Sequence, residues 1–138
     1  MASEPIMVVD DNPTNLKLME VALGAAGYEV RGAADAEDAL AQVKKDHPRL
    51  IMMDVQLPGM DGLELTRRLK GDPATRDIVI VATTAYAMAG DELRAKEAGC
   101  DGYVAKPINT RTLADQVSAY LDREAEGTDG VGEAPRRS

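Results

Sequence analysis

Three short runs of apolar residues, each followed by polar residues, constrain the fold of this chain more than any other feature. They occupy residues 6–9 (Ile-Met-Val-Val), 50–53 (Leu-Ile-Met-Met) and 78–82 (Ile-Val-Ile-Val-Ala). Uninterrupted apolar runs of this length are typical of strands that are covered on both faces, as in a parallel sheet. The runs therefore predict buried parallel strands.

Amphipathic helical patterns separate these runs. After the first run, Asn12 suits the N-cap and Pro13 the first position of a helix whose apolar residues recur at Leu16, Met19 and Leu23. Further helices are predicted at about 36–46, 62–70, 88–98 and 110–123, with short strands around 28–31 and 103–104. Strands that alternate with helices predict an α/β fold, in which helices cover both faces of a parallel sheet.

Length and composition fit one domain with an acidic surface. The chain has 138 residues, 44% of them hydrophobic, and 16 basic against 24 acidic side chains give a net charge of −8. We expect a folded domain over 1–124 and a disordered, Gly-rich polar tail over 125–138. An acidic surface repels phosphate backbones, so a nucleic acid partner is not expected.

The scarcity of cysteine and histidine narrows the chemistry further. One Cys and one His exclude a disulfide framework and zinc sites built from several such ligands. No stretch approaches the roughly 18 consecutive apolar residues of a membrane span. We therefore expect a cytoplasmic protein that does not associate with a membrane.

Polar residues that could take part in binding or catalysis lie at or just after the ends of the predicted strands. They are Asp10 and Asp11, Asp54, Thr84 and Lys106. In an open α/β sheet, ligands bind in the crevice outside the carboxyl ends of the strands. We therefore expect these five side chains to lie at one edge of the sheet.

Three carboxylates and one ammonium at such an edge favour phosphoryl chemistry with Mg²⁺. Clustered carboxylates are stabilised by a hard divalent cation with oxygen ligands, and Mg²⁺ uses one or two carboxylates and retains waters. Asp54 stands alone at the end of a central strand and suits a nucleophile that attacks phosphorus. Asp10 and Asp11 suit the metal, while Lys106 and Thr84 suit phosphoryl oxygens.

Each of these residues, taken alone, also has a purely structural explanation. Asp10 and Asp11 could simply end a strand and precede a helix cap. Asp54 could belong to a turn, Thr84 could end a strand, and Lys106 could be a solvated surface residue. The combination of remote partners at one edge favours the functional interpretation.

Four motifs in order resemble the receiver domain of response regulators, in the CheY-like superfamily. They are Val9-Asp10-Asp11, Met53-Asp54-Val55 with Pro58-Gly59-Met60-Asp61-Gly62, Thr84-Ala85, and Gly102 to Pro107. The chain is most similar to single-domain, DivK-type receivers and to the receivers of hybrid kinases. The resemblance implies a flavodoxin-like, doubly wound (βα)5 fold with strand order 2-1-3-4-5.

The resemblance also implies roles at the site. Asp54 would accept a phosphoryl group from a sensor histidine kinase or a histidine phosphotransfer protein, in a bacterial two-component system or phosphorelay. Mg²⁺ would be held by Asp11, Asp54 and the backbone carbonyl of Gln56, with Asp10 contributing mainly through water. The phosphoryl-binding and switch residues would be Lys106, Thr84 and Tyr103, a cis peptide would precede Pro107, and Gln56 and Tyr86 would tune dephosphorylation.

Partners follow from the same resemblance. The kinase side would dock on the first helix, around Leu16 and Leu18, and on the loop after Pro107. A downstream protein would bind the face formed by the fourth helix, fifth strand and fifth helix. The chain would thus be a signalling protein that catalyses only its own phosphorylation and dephosphorylation, and not a conventional enzyme.

Two alternatives remain open from the sequence. A pseudo-receiver would bind a partner without phosphorylation, although such domains normally lack one of the acids or the lysine. A haloacid-dehalogenase-like phosphatase also combines an aspartate nucleophile, Mg²⁺ and a lysine. Its nucleophile, however, lies in an Asp-x-Asp motif after the first strand, whereas the two acids here are adjacent.

Overall fold

The computed structural model describes residues 5–55, 62–84, 89–105 and 110–129. Five strands alternate with five helices in these ranges. The strands are β1 (Pro5–Val9), β2 (Glu29–Ala33), β3 (Leu50–Asp54), β4 (Val79–Thr84) and β5 (Gly102–Ala105). The helices are α1 (Pro13–Ala25), α2 (Ala36–Lys45), α3 (Gly62–Lys70), α4 (Ala89–Ala98) and α5 (Thr110–Asp129).

The strands form one parallel sheet in the order β2-β1-β3-β4-β5, which confirms the predicted fold class and strand order. The apolar runs form β1, β3 and β4 in the middle of the sheet. The two short, less apolar strands β2 and β5 lie at its edges. Strands with a neighbour on each side and a helix layer on each face have no polar face, which explains their continuous apolar sequence.

Each face of the sheet carries its own apolar cluster. Helices α1 and α5 cover one face, where Met19, Leu23, Leu113 and Val117 pack against alternate strand residues. Helices α2 and α3 cover the other face, and α4 lies beside α3. Alternate residues of each central strand point to opposite faces, so both clusters draw on the same strands.

β2 and β4 run two residues past their predicted ends. β2 continues through Gly32 and Ala33, and β4 continues through Thr83 and Thr84. Gly32 lies close to the Glu20 and Leu16 side chains of α1, so a glycine fits there despite its low strand propensity. Thr84 is thus the last residue of β4, paired with Ala105, and does not lie beyond the strand.

The last helix is longer than predicted. α5 continues to Asp129, past the predicted end at residue 123, and so includes the first five residues of the segment expected to be a disordered tail. The extension contains Glu124, Ala125 and Glu126, which have high helix propensity, and one glycine costs only about 1 kcal/mol in a helix. Residues 130–138 lie outside the described part of the chain.

The helices give no sign of a membrane span. None of those in the described ranges combines the length and the apolar character that crossing a bilayer requires.

Candidate metal site at the carboxyl edge of the sheet

Asp10 and Asp54 follow the same register position on two neighbouring central strands. Val9 of β1 pairs with Met53 of β3. The residues that come next in sequence, Asp10 after Val9 and Asp54 after Met53, therefore lie side by side. Backbone hydrogen bonds continue here: Asp10 N–H donates to the Ala33 carbonyl at 3.1 Å, and Val55 N–H donates to the Thr83 carbonyl at 3.0 Å. The ladder therefore fixes the backbone of both acids.

The turn after β1 positions its acids and also starts α1. Asn12 N–H donates to Asp10 Oδ1 at 2.9 Å. The Asn12 side chain in turn accepts from Thr14 N–H at 2.9 Å and from Asn15 N–H at 3.2 Å, which confirms Asn12 as the N-cap. The helix cap and the acidic pair thus form one structural unit. This segment both begins α1 and positions the two acids.

The three predicted acids converge. One carboxylate oxygen from each of Asp10, Asp11 and Asp54 lies within 4.8 Å of the other two. Asp10 and Asp54 are 0% and 3% exposed, whereas Asp11 is exposed. The cluster therefore has two acids in the protein interior and one on the solvent side.

This arrangement fits a hard divalent cation. Repulsion between two buried carboxylates at such a separation is on the order of 1 to 3 kcal/mol, and a cation between them removes it. All three donors are oxygens, and one is accessible from solvent, which matches the preference of Mg²⁺ for a few carboxylates together with several waters. The residues present at this edge therefore fit Mg²⁺.

Thr84 and Tyr103 lie on the same face of the sheet. Tyr103 pairs with Ala82, which is two residues before Thr84, and side chains two residues apart on a strand point the same way. Thr84 is 1% exposed at the end of β4, whereas Tyr103 is half-buried on the edge strand β5. The structure thus brings a buried hydroxyl and an aromatic ring onto adjacent strands beside the acids.

Gly62 is a site-forming residue to which the sequence analysis gave no role. At the start of α3, its N–H donates to the Val55 carbonyl at 3.2 Å, and a Cβ atom at this position would overlap the backbone carbonyl of Asp54. Only glycine lets α3 approach the end of β3 so closely. The Asp61-Gly62 pair after Pro58-Gly59 was the signal in the sequence.

Four predicted site residues lie outside the described residues. They are Gln56, Tyr86, Lys106 and Pro107. In the sequence, Gln56 and Tyr86 each follow by two residues the last residue of β3 or β4, and Lys106 directly follows the last residue of β5. Their roles stay predictions.

Comparison with known proteins decides the family. A family model described as the response regulator receiver domain matches residues 6–118. The chain belongs to the receiver domain family of response regulators. Its fold and its acidic cluster are thus those of a signalling domain, and the receiver resemblance seen in the four motifs is confirmed.

Individual receivers match along nearly their whole length. The chain is 40% identical over 119 residues to the polar-differentiation response regulator DivK of Brucella ovis, covering 86% of this chain and 97% of DivK. A CheY-like receiver domain protein from Methanospirillum hungatei has a TM-score of 0.84 at 29% identity, with 91% and 99% of the two chains covered. The chemotaxis protein CheY4 of Vibrio cholerae gives a TM-score of 0.82 at 28% identity, with 86% and 99% covered.

Proposed function

We propose that this receiver accepts a phosphoryl group on Asp54 from a sensor histidine kinase or a histidine phosphotransfer protein. The observation that carries the proposal is the convergence of Asp10, Asp11 and Asp54 within 4.8 Å at the carboxyl edge of the sheet. The proposal places the protein in the cytoplasm, where such donors present their phosphohistidines.

Asp54 is the best nucleophile among the three acids. It ends the central strand β3, lies almost completely buried, and has neighbouring strands on both sides. A carboxylate oxygen attacks phosphorus, the new P–O bond forms, the P–N bond to the donor histidine breaks, and the imidazole leaves with the bonding electron pair and takes a proton from water. The carboxylate is already ionised, so no separate base is required.

The acids would hold Mg²⁺ together with the backbone carbonyl of Gln56. When bound, Mg²⁺ neutralises negative charge on the transferring phosphoryl oxygens. Asp10 is held by Asn12 N–H, and Asp11 stands on the solvent side, where the donor protein arrives. The haloacid-dehalogenase alternative is not supported. The nucleophile of such a phosphatase lies in an Asp-x-Asp motif after the first strand, and no such motif follows β1 in this sequence.

Lys106, Thr84 and Tyr103 would convert phosphorylation into a change of surface. Lys106 would bind a phosphoryl oxygen as a point charge, in a segment shaped by a cis peptide before Pro107. The Thr84 hydroxyl would move toward the phosphoryl group, and the Tyr103 ring on the adjacent strand would turn into the space it leaves. The affected surface is the one formed by α4, β5 and α5, where a downstream protein would bind.

The kinase side would dock on α1. Leu18 is 48% exposed on this helix, which begins directly after the acidic pair, and Leu16 is partly buried against the sheet. A Leu18→Ala variant is expected to slow phosphotransfer from a protein donor while leaving phosphorylation by acetyl phosphate unchanged. Equal rates from the protein donor would contradict docking on this helix.

Gln56 and Tyr86 would set the lifetime of the phosphoryl group. We expect the bulky Tyr86 ring to restrict water near Asp54, so that the phosphorylated form is long-lived. The half-life of the phosphorylated protein is expected to fall in a Tyr86→Glu variant. A half-life in the wild type no longer than in the variant would contradict the assignment.

Intact-protein mass after incubation with acetyl phosphate tests the proposal. A single phosphoryl adduct is expected with Mg²⁺ and is expected to disappear on chelation and in Asp54→Asn. Asp35→Asn is the matched control, since Asp35 caps α2 and is not part of the acidic cluster. A folded protein that gives no adduct would instead be a pseudo-receiver that binds its partner without phosphorylation.

A further inference from the structure

A groove lies between α2 and α3, on the face of the sheet opposite α1 and α5. Its volume is about 550 Å³, within the usual range for binding pockets, and the C-terminal halves of α2 and α3 and the turns that follow line it. Its apolar lining residues are Leu40, which is partly exposed, and Val43 and Leu69, which are buried. We call these three residues its floor. We call it the α2–α3 groove.

The rim of this groove is basic although the chain as a whole has a charge of −8. Lys44, Lys45 and Arg68 line it. Within the part of the chain that the structure describes, neither lysine has an ion pair or side-chain hydrogen bond, and Arg68 has only an exposed contact of 3.4 Å with Glu64. Positive charge is therefore available at the groove.

The acidic groups near this rim are engaged elsewhere. Asp72 lines the groove, but its Oδ1 accepts a hydrogen bond from Ala74 N–H at 2.9 Å in the turn after α3. Asp46, which follows Lys45, forms an ion pair of 3.1 Å with Arg31. The Asp72 carboxylate keeps its charge, but among the described residues it is the only acid that lines the groove, so the three basic side chains leave the rim positive.

Helix electrostatics explain part of this pattern but not all of it. Basic residues in the last turns of α2 and α3 interact favourably with the helix dipoles. That effect requires neither an apolar groove lining nor two helices whose basic ends flank one groove. An apolar floor beneath a positive rim is complementary to a ligand that carries acidic and apolar groups together.

We propose that the α2–α3 groove binds an acidic segment of a partner protein, with an apolar side chain of that segment against Leu40 and its carboxylates beside Lys44, Lys45 and Arg68. The groove is separate from the surface formed by α4, β5 and α5, none of which lines it. We therefore expect the unphosphorylated protein to bind this segment. The receiver would engage two partners on different surfaces.

Fluorescence anisotropy with a labelled peptide tests this proposal on the full chain. The probe is a synthetic 12-residue peptide of glutamates with two leucines at helical spacing. Its controls are the same peptide with Gln for Glu, the same peptide with Ser for Leu, and a labelled DNA duplex. The protein variants are Lys44→Glu with Lys45→Glu, and Lys17→Glu with Lys96→Glu, which makes the same charge change at exposed positions outside the groove.

The proposal predicts saturable binding of the acidic peptide at low salt, weakened at least about tenfold by the Lys44/Lys45 reversal and less than about twofold by the Lys17/Lys96 reversal. Both control peptides are expected to bind more weakly, and Asp54→Asn is expected to bind like the wild type. Circular dichroism verifies that each variant is folded. Equal weakening by both reversals, tighter binding of the DNA duplex, or no saturable binding would overturn the proposal.

Discussion

The edge of the sheet at the amino ends of the strands and the edge at their carboxyl ends differ in how their charged side chains are paired. At the amino edge, Lys70 Nζ donates to Asp101 Oδ2 at 2.8 Å, to the Ile78 carbonyl at 2.8 Å and to the Arg76 carbonyl at 3.2 Å. The same Asp101 oxygen accepts from Ile80 N–H at 2.9 Å. This group of bonds, the Lys70–Asp101 clasp, joins α3, β4 and the start of β5.

At the carboxyl edge, the described residues bring charges of one sign together. Asp10, Asp11 and Asp54 converge there, and two of them are buried. Charged hydrogen bonds of the kind in the clasp stabilise a fold, whereas clustered carboxylates favour a cation. The comparison teaches that one edge of the sheet holds the fold together and that the other is kept for binding.

Loss of the clasp is expected to give one of the two largest changes in stability. Lys70→Met leaves the Asp101 carboxylate and the Ile78 carbonyl without their ammonium donor, and the free energy of unfolding is expected to fall by about 2 kcal/mol. Lys44→Met is the matched control, because Lys44 is exposed and forms no ion pair within the part of the chain that the structure describes. Urea unfolding measures both, and equal losses would remove the distinction between the edges.

Gly62→Ala tests whether the carboxyl edge depends on close backbone packing. The new methyl group would overlap the Asp54 carbonyl, so we expect a loss of about 2 kcal/mol and slower phosphorylation by acetyl phosphate. Gly24→Ala is the control: a Cβ there meets no atom within 4 Å, and alanine in a helix is expected to add about 0.5 to 1 kcal/mol. A neutral Gly62→Ala would show that α3 can shift freely.

Removal of one acid is expected to stabilise the carboxyl edge when divalent cations are absent. Asp10→Asn keeps an acceptor for Asn12 N–H and removes repulsion within the cluster, so the free energy of unfolding is expected to rise by about 1 kcal/mol in the presence of EDTA. Mg²⁺ is expected to stabilise the wild type and to have a smaller effect on the variant. Destabilisation of the variant in EDTA would show that the Asp10 carboxylate stabilises the fold, as the charges of the Lys70–Asp101 clasp do.

The titration of Cys100, next to Asp101, is expected to have the smallest effect at neutral pH, where its thiol is protonated in both the folded and the unfolded chain. Burial raises the pKa of its thiol from 9.0 to about 11, a hydrogen bond with Thr66 and the Lys70 charge oppose this increase, and the charge of Asp101 adds to it. Because the unfolded thiol ionises first, stability is expected to decrease as pH rises from 9 toward 11. The pH dependence of urea unfolding in Cys100→Ala, compared with the wild type, isolates this decrease; identical profiles would contradict it.

The carboxyl edge could be predicted from the sequence to a large extent, and the amino edge could not. Parallel strands bring their carboxyl ends to one edge, so recognising the apolar runs was enough to place Asp10 and Asp54 together. Lys70 and Asp101 are 31 residues apart and belong to no local pattern. Their contact depends on how α3 packs beside β4 and β5, which spacing alone does not reveal.

Tertiary contacts also explain the other differences. Gly32 continues β2 because α1 side chains lie against it, and Gly62 starts α3 where its backbone meets Asp54. A glycine in sequence indicates a break, whereas these two glycines allow close approach between elements. Sequence patterns therefore located the strands, and packing determined where several elements end.

The position of the phosphoryl group tests the central claim most directly. The protein is incubated with acetyl phosphate and Mg²⁺ and then reduced with borohydride, which converts an aspartyl phosphate to homoserine, and the peptides are sequenced by tandem mass spectrometry. If Asp54 is the phosphoacceptor, homoserine is expected at position 54 alone, at the end of β3. Homoserine at position 10 or 11, or at none of the three acids, would contradict it.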